Sequence, residues 1–194
     1  MNDRYVTVNI LDVLKSGEKN IQDTLSAFSC PLNPGIEDFL HKKAIQFAKQ
    51  KLSVTYLVFD KQIGQLAGFF AIAFKTISIR EDMLSNTKKK HVAQFATYDS
   101  EEGIYMAAAY LIAQFSKNFA LKPEELIQGE DLMDIAIDVL KSIQHGVGGG
   151  IVYLDAEDKP KLKEFYEERA HFHLFGERFS PTDQKKYLQY LRTI

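Results

Sequence analysis

The stretch Tyr105–His145, YMAAAYLIAQFSKNFALKPEELIQGEDLMDIAIDVLKSIQH, decides the fold. It opens on an apolar run, Met106 to Phe115, rich in small and aromatic residues, which reads as a strand. A polar turn follows, with Ser116, Lys117, Asn118 and Pro123. A helix then begins near Gly129, where Leu132, Ile135, Ala136, Val139, Leu140 and Ile143 recur at helical spacing and mark its inner face. A strand feeding through a loop into a helix aims unsatisfied N–H groups and positive dipole at whatever lies in front. That arrangement suits a phosphate or pyrophosphate, although the spacing alone is a weak signal.

Downstream, the helix stops at His145 and Gly146, followed by Gly148-Gly149-Gly150, a run that reads as a chain turn before a phosphate cradle. Ile151–Ala156 is a short apolar run after a helix, the mark of a buried parallel strand. Asp158 reads as the cap of the next helix, with Pro160 in its first turn. Leu162, Phe165 and Tyr166 fall on one side of that helix. Phe172–Phe179 reads as a strand, SPTDQ as a polar turn, and Lys185–Arg192 as the last strand.

Upstream, RYVTVNI over residues 4–10 alternates as a strand, and LDVLKSG reads as a short helical or turn segment. Residues 21–34 read as a loop around FSCPLNPG, and from Ile36 an apolar stripe predicts a helix to about Gln50. Val54–Asp60 and Gln65–Ile79 form a hairpin through KQIG, with Gly68 marking a bulge or a close backbone approach. Residues 81–95 read as a polar insertion with one helix, and 98–103 as an acidic turn. The order predicts an α/β fold over 1–194, one domain with a mixed central sheet and helices on both faces.

Composition narrows the function classes. Of 194 residues, 45% are hydrophobic and 26% charged, ordinary for a globular protein, and no apolar run is long enough to span a membrane. The opening MNDRYVTVNI lacks the apolar stretch of a signal peptide, which predicts that the protein is not exported, and a lone Cys30 fits a reducing cytoplasm. A net charge of −2 argues against a general nucleic-acid binder. The run Lys88-Lys89-Lys90-His91 reads as a solvated face. The histidines lack metal-binding spacing, and His171-x-His173 reads as an ordinary pair, one exposed and one buried. No Walker loop or G-x-G-x-x-G is present.

A crevice at the carboxyl ends of parallel strands is the general expectation for such a sheet. Here it would gather Gln114, Ser116, Lys117 and Asn118, the start of the 129–145 helix, and the end of strand 151–156. Tyr166 would approach the same edge and could donate a proton to a leaving thiolate.

Several segments together resemble the GNAT family of acyl-CoA-dependent N-acyltransferases, over most of the chain. Phe28-Ser29-Cys30 followed by Ile36–Leu40 is similar to the FDCG…L-x-x-FL opening of one branch. Leu52–Phe59 and Gly64–Phe70 resemble that branch's strand pair, and Leu111–Asn118 its central strand. Gln128–Met133 resembles the start of the cofactor helix, while Tyr153–Asp158 and Leu162–Glu167 resemble its "L-x-x-E-[ND]…FYE" segment.

The resemblance implies acetyl-CoA as acyl donor and direct attack by a primary amine, with no enzyme nucleophile. Backbone at Ile112, Ala113, Gln114 and Phe115 would bind the pantetheine arm where the central strand splays. Gln128, Gly129 and Glu130 would meet the pyrophosphate, and Asp158 stands where the family often has an Asn. Tyr166 would be the catalytic acid, while Asp99, Glu101, Glu102 or a bound water could be the base.

There are departures. The family's phosphate loop, [QR]-x-x-G-x-[GA], has Glu124 at its first position and Ile127 at its middle glycine here. An acid near a pyrophosphate is unfavourable unless it points away. The acceptor is a small-molecule or macromolecular amine, and a homodimer is an open assembly state. The alternatives are a degenerate acyl-CoA-binding regulatory module and a toxin acetylating aminoacyl-tRNA, the one nucleic-acid partner kept.

Overall fold

A computed structural model describes residues 3–15, 17–181 and 184–194. In chain order the elements are β1 Tyr5–Asn9, α1 Ile10–Leu14, α2 Glu18–Ser26, α3 over 34–49, β2 Val54–Asp60 and β3 Gln65–Arg80. Then come α4 Asn86–Val92, β4 Ala96–Asp99, β5 Ile104–Lys117, α5 Gly129–Val147, β6 Ile151–Glu157, α6 over 160–169, β7 His173–Ser180 and β8 Lys185–Thr193. Two compact units divide the chain: Met1–Ala73 with Ile112–Ala136, and Phe74–Leu111 with Ile137–Ile194. β3, β5 and α5 each contribute to both.

In the first unit the strand order is β1-β2-β3-β5. The β2–β3 turn closes through Gly64, whose φ of 67° suits a residue without Cβ and whose N–H donates to Asp60 O at 2.8 Å. The fully buried Asp60 carboxylate accepts from Arg4 Nε at 2.7 Å and from Gln62 N–H at 2.8 Å, which fastens β1 to the turn. Burial alone would raise that carboxyl, but the Arg4 and Gln62 bonds outweigh it and hold it below its ordinary value.

Gly68 justifies both halves of its sequence reading. The β2–β3 register shifts beside it, and a Cβ there would lie 2.8 Å from the Ser116 backbone oxygen and 3.2 Å from Leu132 Cδ2. The contact also places the first turns of α5 over the Gly68 face. The opposite face, with Leu57, Phe69 and Ala71, is covered by Ile10, Ile21, Leu25, Leu40 and Ala44 of α1–α3. Helices therefore lie on both faces of this part of the sheet.

One expectation fails here. Residues 21–34 are not all loop, because α2 runs to Ser26 and turns Ile21 and Leu25 into the core. That helix is only nine residues long, and polar Gln22, Asp23, Thr24 and Ser26 dilute its apolar stripe. Asn33 caps the next helix by accepting the Gly35 N–H at 3.1 Å, with Pro34 at its start.

In the second unit the order is β3-β5-β6-β8-β7, with β4 on β5. β5 and β6 pair in parallel at Tyr110–Val152 and Leu111–Tyr153, as the apolar run after a helix predicts. β6 with β8, β7 with β8 and β4 with β5 are antiparallel. One face packs Ile79, Ala109, Tyr153 and Leu191 against Leu84, just before α4, and Val92 at its end. On the other, Tyr190 sits opposite Leu154 and its ring lies 5.7 Å from that of Tyr166 on α6.

The glycine run is a turn: Gly148 and Gly149 take φ of 81° and 86°, and the Tyr110 hydroxyl donates to Gly148 O. Residues 98–103 were expected to be turn throughout, yet Ala96–Asp99 pair with β5 as β4, and only the residues after Asp99 turn. The SPTDQ turn includes Thr182 and Asp183, which lie outside the described residues. Among the described residues no helix is long and apolar enough to cross a membrane.

Candidate active site

Tyr166 lies where α6 changes its pitch. Pro160 opens the helix, Pro160–Glu164 is α-helical, and Phe165–Arg169 is a π-turn. One extra residue per turn rotates the side chains that follow, a device frequent at functional sites. The Tyr166 ring is 8% exposed, against Phe165 at 5.0 Å, Phe172 at 6.2 Å and Tyr190. The Phe172 N–H donates to Tyr166 O at 2.8 Å, which fastens the end of the turn.

Burial, with the Tyr190 hydroxyl beside it, pushes the Tyr166 hydroxyl far above its ordinary range. Tyr190 is itself pushed up to about 12 by burial and by the Glu167 carboxylate. This tyrosine pair and its acid were not legible as a site in the sequence. The only signal was that Leu188 and Tyr190 alternate on β8 and so share the face covered by α6.

The Asp158 reading is corrected. Lys159, not Asp158, occupies the cap position, because Pro160 is the first helical residue. The Asp158 carboxylate instead pairs with Lys163 at 2.8 Å, which holds it below the usual carboxylate range. It is solvent-exposed, so it offers a surface charge and no helix cap.

The other cofactor candidates fall in the first unit, whereas Tyr166 and Asp158 fall in the second. Ile112 is buried on β5, and Ala113, Gln114 and Phe115 are half-buried. Gly129 is buried at the first position of α5, Gln128 just before it is exposed, and Glu130 is half-buried. Glu130 and Asp131 make the first turn acidic, which favours the helix but competes with a bound anion. Arg4 feels the Asp131 charge as well as that of Asp60.

At the two divergent loop positions the structure shows different fates. Glu124 is exposed on a 3₁₀ turn, while Ile127 is fully buried. An apolar anchor thus stands where the family pattern has a glycine. The start of α5 supplies N–H donors with a reduced field, because its acids oppose the dipole.

The polar end of β5 proves structural. Asn118 is 3% exposed; its Oδ1 accepts from Ser29 N–H at 3.0 Å and Ala120 N–H at 3.1 Å, and its Nδ2 donates to Leu66 O at 2.8 Å. The Ser116 hydroxyl donates to the buried Cys30 sulfur at 3.3 Å, so the cysteine is a packing residue. Asp99 accepts the N–H groups of Glu101 and Glu102 at 3.0 and 3.2 Å, a turn-closing role. His171 and His173 are both exposed, which corrects the expectation that one is buried; the φ of 57° at His171 ends the alternation between them. Among the described residues no group of three His, Cys, Asp or Glu could hold a metal ion.

No protein-family model matches the chain. No curated protein matches it either. Solved structures do. A structure described as a bacterial toxin aligns at TM-score 0.65 and 17% identity, over 98% of this chain and 90% of that one. AtaT complexed with acetyl-methionyl-tRNAfMet aligns at 0.64 and 14%, over 95% and 93%. A Tyr-to-Phe mutant of the AtaT toxin, bound to the C-terminus of the antitoxin AtaR and acetyl-CoA, aligns at 0.60 and 12%, over 98% and 94%. At these identities the likeness is one of fold, and it runs nearly end to end. The chain therefore has the mixed α/β fold of the GNAT-like toxins.

Proposed function

We propose that this protein is an acetyl-CoA-dependent N-acetyltransferase and that 1–194 works as one catalytic domain. The observation that carries the reading is the end-to-end fold likeness to a toxin whose structure contains acetyl-CoA. Acetyl-CoA supplies an activated acyl thioester. The backbone of Ile112–Phe115 holds and orients the pantetheine arm, and the N–H groups at Gln128–Glu130 receive the pyrophosphate. Tyr166 holds a proton at Oη across the neutral range, because burial raises its hydroxyl. So weak an acid acts best by donating a hydrogen bond to charge developing on the sulfur of the leaving group. The acceptor nitrogen attacks the thioester carbon directly; the C–N bond forms as the C–S bond breaks, the CoA thiolate departs, and the proton lost by the nitrogen passes to that sulfur or to water, so no side-chain nucleophile is needed.

For the acceptor we favour the amino group of an aminoacyl-tRNA over a free small amine. Its support is that AtaT, similar over 95% of this chain, has been captured with acetyl-methionyl-tRNAfMet. The buried Ile127 and the acidic first turn of α5 favour a second reading, an acyl-CoA-binding module without turnover.

Calorimetric titration with acetyl-CoA, alongside desulfo-CoA, tests the donor half of the reading. Binding with Kd of about 1–100 μM is expected. Silence at millimolar ligand would remove both the transferase and the binding-module readings.

A further inference from the structure

Lys88, His91, His171, His173 and Thr193 line a pocket of about 170 Å³ inside the second unit. The strand register explains why they meet. His173 lies directly opposite Leu191, and Thr193 follows two positions along β8, so all three share one face. Leu191 and Val92 belong to the same apolar core, which seats α4 over that face. Lys88 stands one helical turn before Val92, and His91 is its neighbour. His171 reaches the pocket from the residue pair just before β7, held in the left-handed region at φ 57°.

Among the described residues the lining contains no carboxylate. Among the described residues half-buried Lys88 has no carboxylate partner, whereas Lys89 beside it pairs with Glu81 at 2.7 Å. We propose that this pocket binds a phosphate group, with uptake of a proton at His173.

A cleft lined by one sign of charge focuses potential on a small anion. Lys88 supplies three donors, a protonated histidine two, and Thr193 a hydroxyl. Burial, then Lys88, depress the His173 imidazolium; Glu167 opposes them and His171 adds to them. An anion in the pocket offsets the repulsion from Lys88 and His171, so binding draws a proton in. The other charged group at the lining, Arg192, donates to Ala170 O at 3.0 Å and so ties the end of α6 to β8. A phosphate has two sources here, a small phosphorylated ligand or a nucleic-acid backbone.

The test is independent of acetyl transfer, since it reads binding alone. The full chain is titrated with inorganic phosphate while histidine ring NMR signals are followed at about pH 5.5 and about pH 8. Phosphate should shift the signals of His91, His171 and His173, with affinity about tenfold or more higher at the lower pH. His91→Gln with His173→Gln should abolish the His171 shift, with circular dichroism unchanged. Lys88→Met, an independent variant in case the first fails to fold, should weaken binding about tenfold at both pH values. A short single-stranded RNA that moves the same signals assigns the phosphate to a nucleic-acid backbone, and one that leaves them still assigns it to a small ligand. Signals unmoved by millimolar phosphate at both pH values, or affinity unchanged in Lys88→Met, would overturn the proposal.

Discussion

At the scale of the residue, Tyr166 combines an aromatic wall with a hydroxyl that burial keeps protonated. Tyr166→Phe leaves the packing against Phe172 and Tyr190 in place and removes only the hydroxyl. The expected result is a kcat lower by about a hundredfold or more, with acetyl-CoA affinity within about twofold of the parent. Because the hydroxyl lies above its ordinary range, its loss of a proton cannot produce a falling limb below about pH 10. A kcat unchanged by the substitution would remove Tyr166 from the chemistry. The FYE resemblance singled out this tyrosine as a candidate, but its burial was not legible, since that depends on Tyr190 arriving from a strand 24 residues later. Asp158 shows the converse. Its type suits a cap, yet Pro160 two residues on fixes the helix start so that Lys159 takes the position.

At the scale of the element, the hairpin was readable to within one residue. Val54–Asp60 was found as quoted, and Gln65–Ile79 ends one residue later at Arg80, because β-branched and aromatic runs flank a glycine turn. Gly68 was readable as special, but the cause, the Ser116 oxygen, comes from β5, 48 positions away. Gly68→Ala should lower stability by about 1–3 kcal/mol, since both obstacles are packed and one is backbone. Thermal unfolding checks it: a melting temperature several degrees lower is expected, and an unchanged one would contradict the close approach. The elements missed were the weakly patterned ones. β4 has four residues, two of them exposed, and is a strand only because β5 supplies its hydrogen bonds. The π-turns at Phe39–Lys43 and Phe165–Arg169 leave no mark in the spacing of apolar residues that a helix of ordinary pitch would not.

At the scale of the whole molecule, two pairings followed from local rules, the β2–β3 hairpin and the parallel β5–β6 pair through α5; the place of β8 between β6 and β7 did not. Chemistry was less legible, because backbone carries the expected pantetheine contacts and backbone has no sequence signature. Ile127 and the acids at 124, 130 and 131 are where the chain departs furthest from a strong phosphate loop. They make acyl-group transfer the claim most in need of a direct measurement. The decisive assay incubates the protein with labelled acetyl-CoA and a mixed pool of aminoacyl-tRNAs, then follows the label by mass spectrometry after mild hydrolysis. Label is expected on the α-amino group of at least one amino acid, strongly reduced with Tyr166→Phe. Acetyl-CoA bound but no label on any aminoacyl-tRNA or free amine would contradict it and leave a binding module.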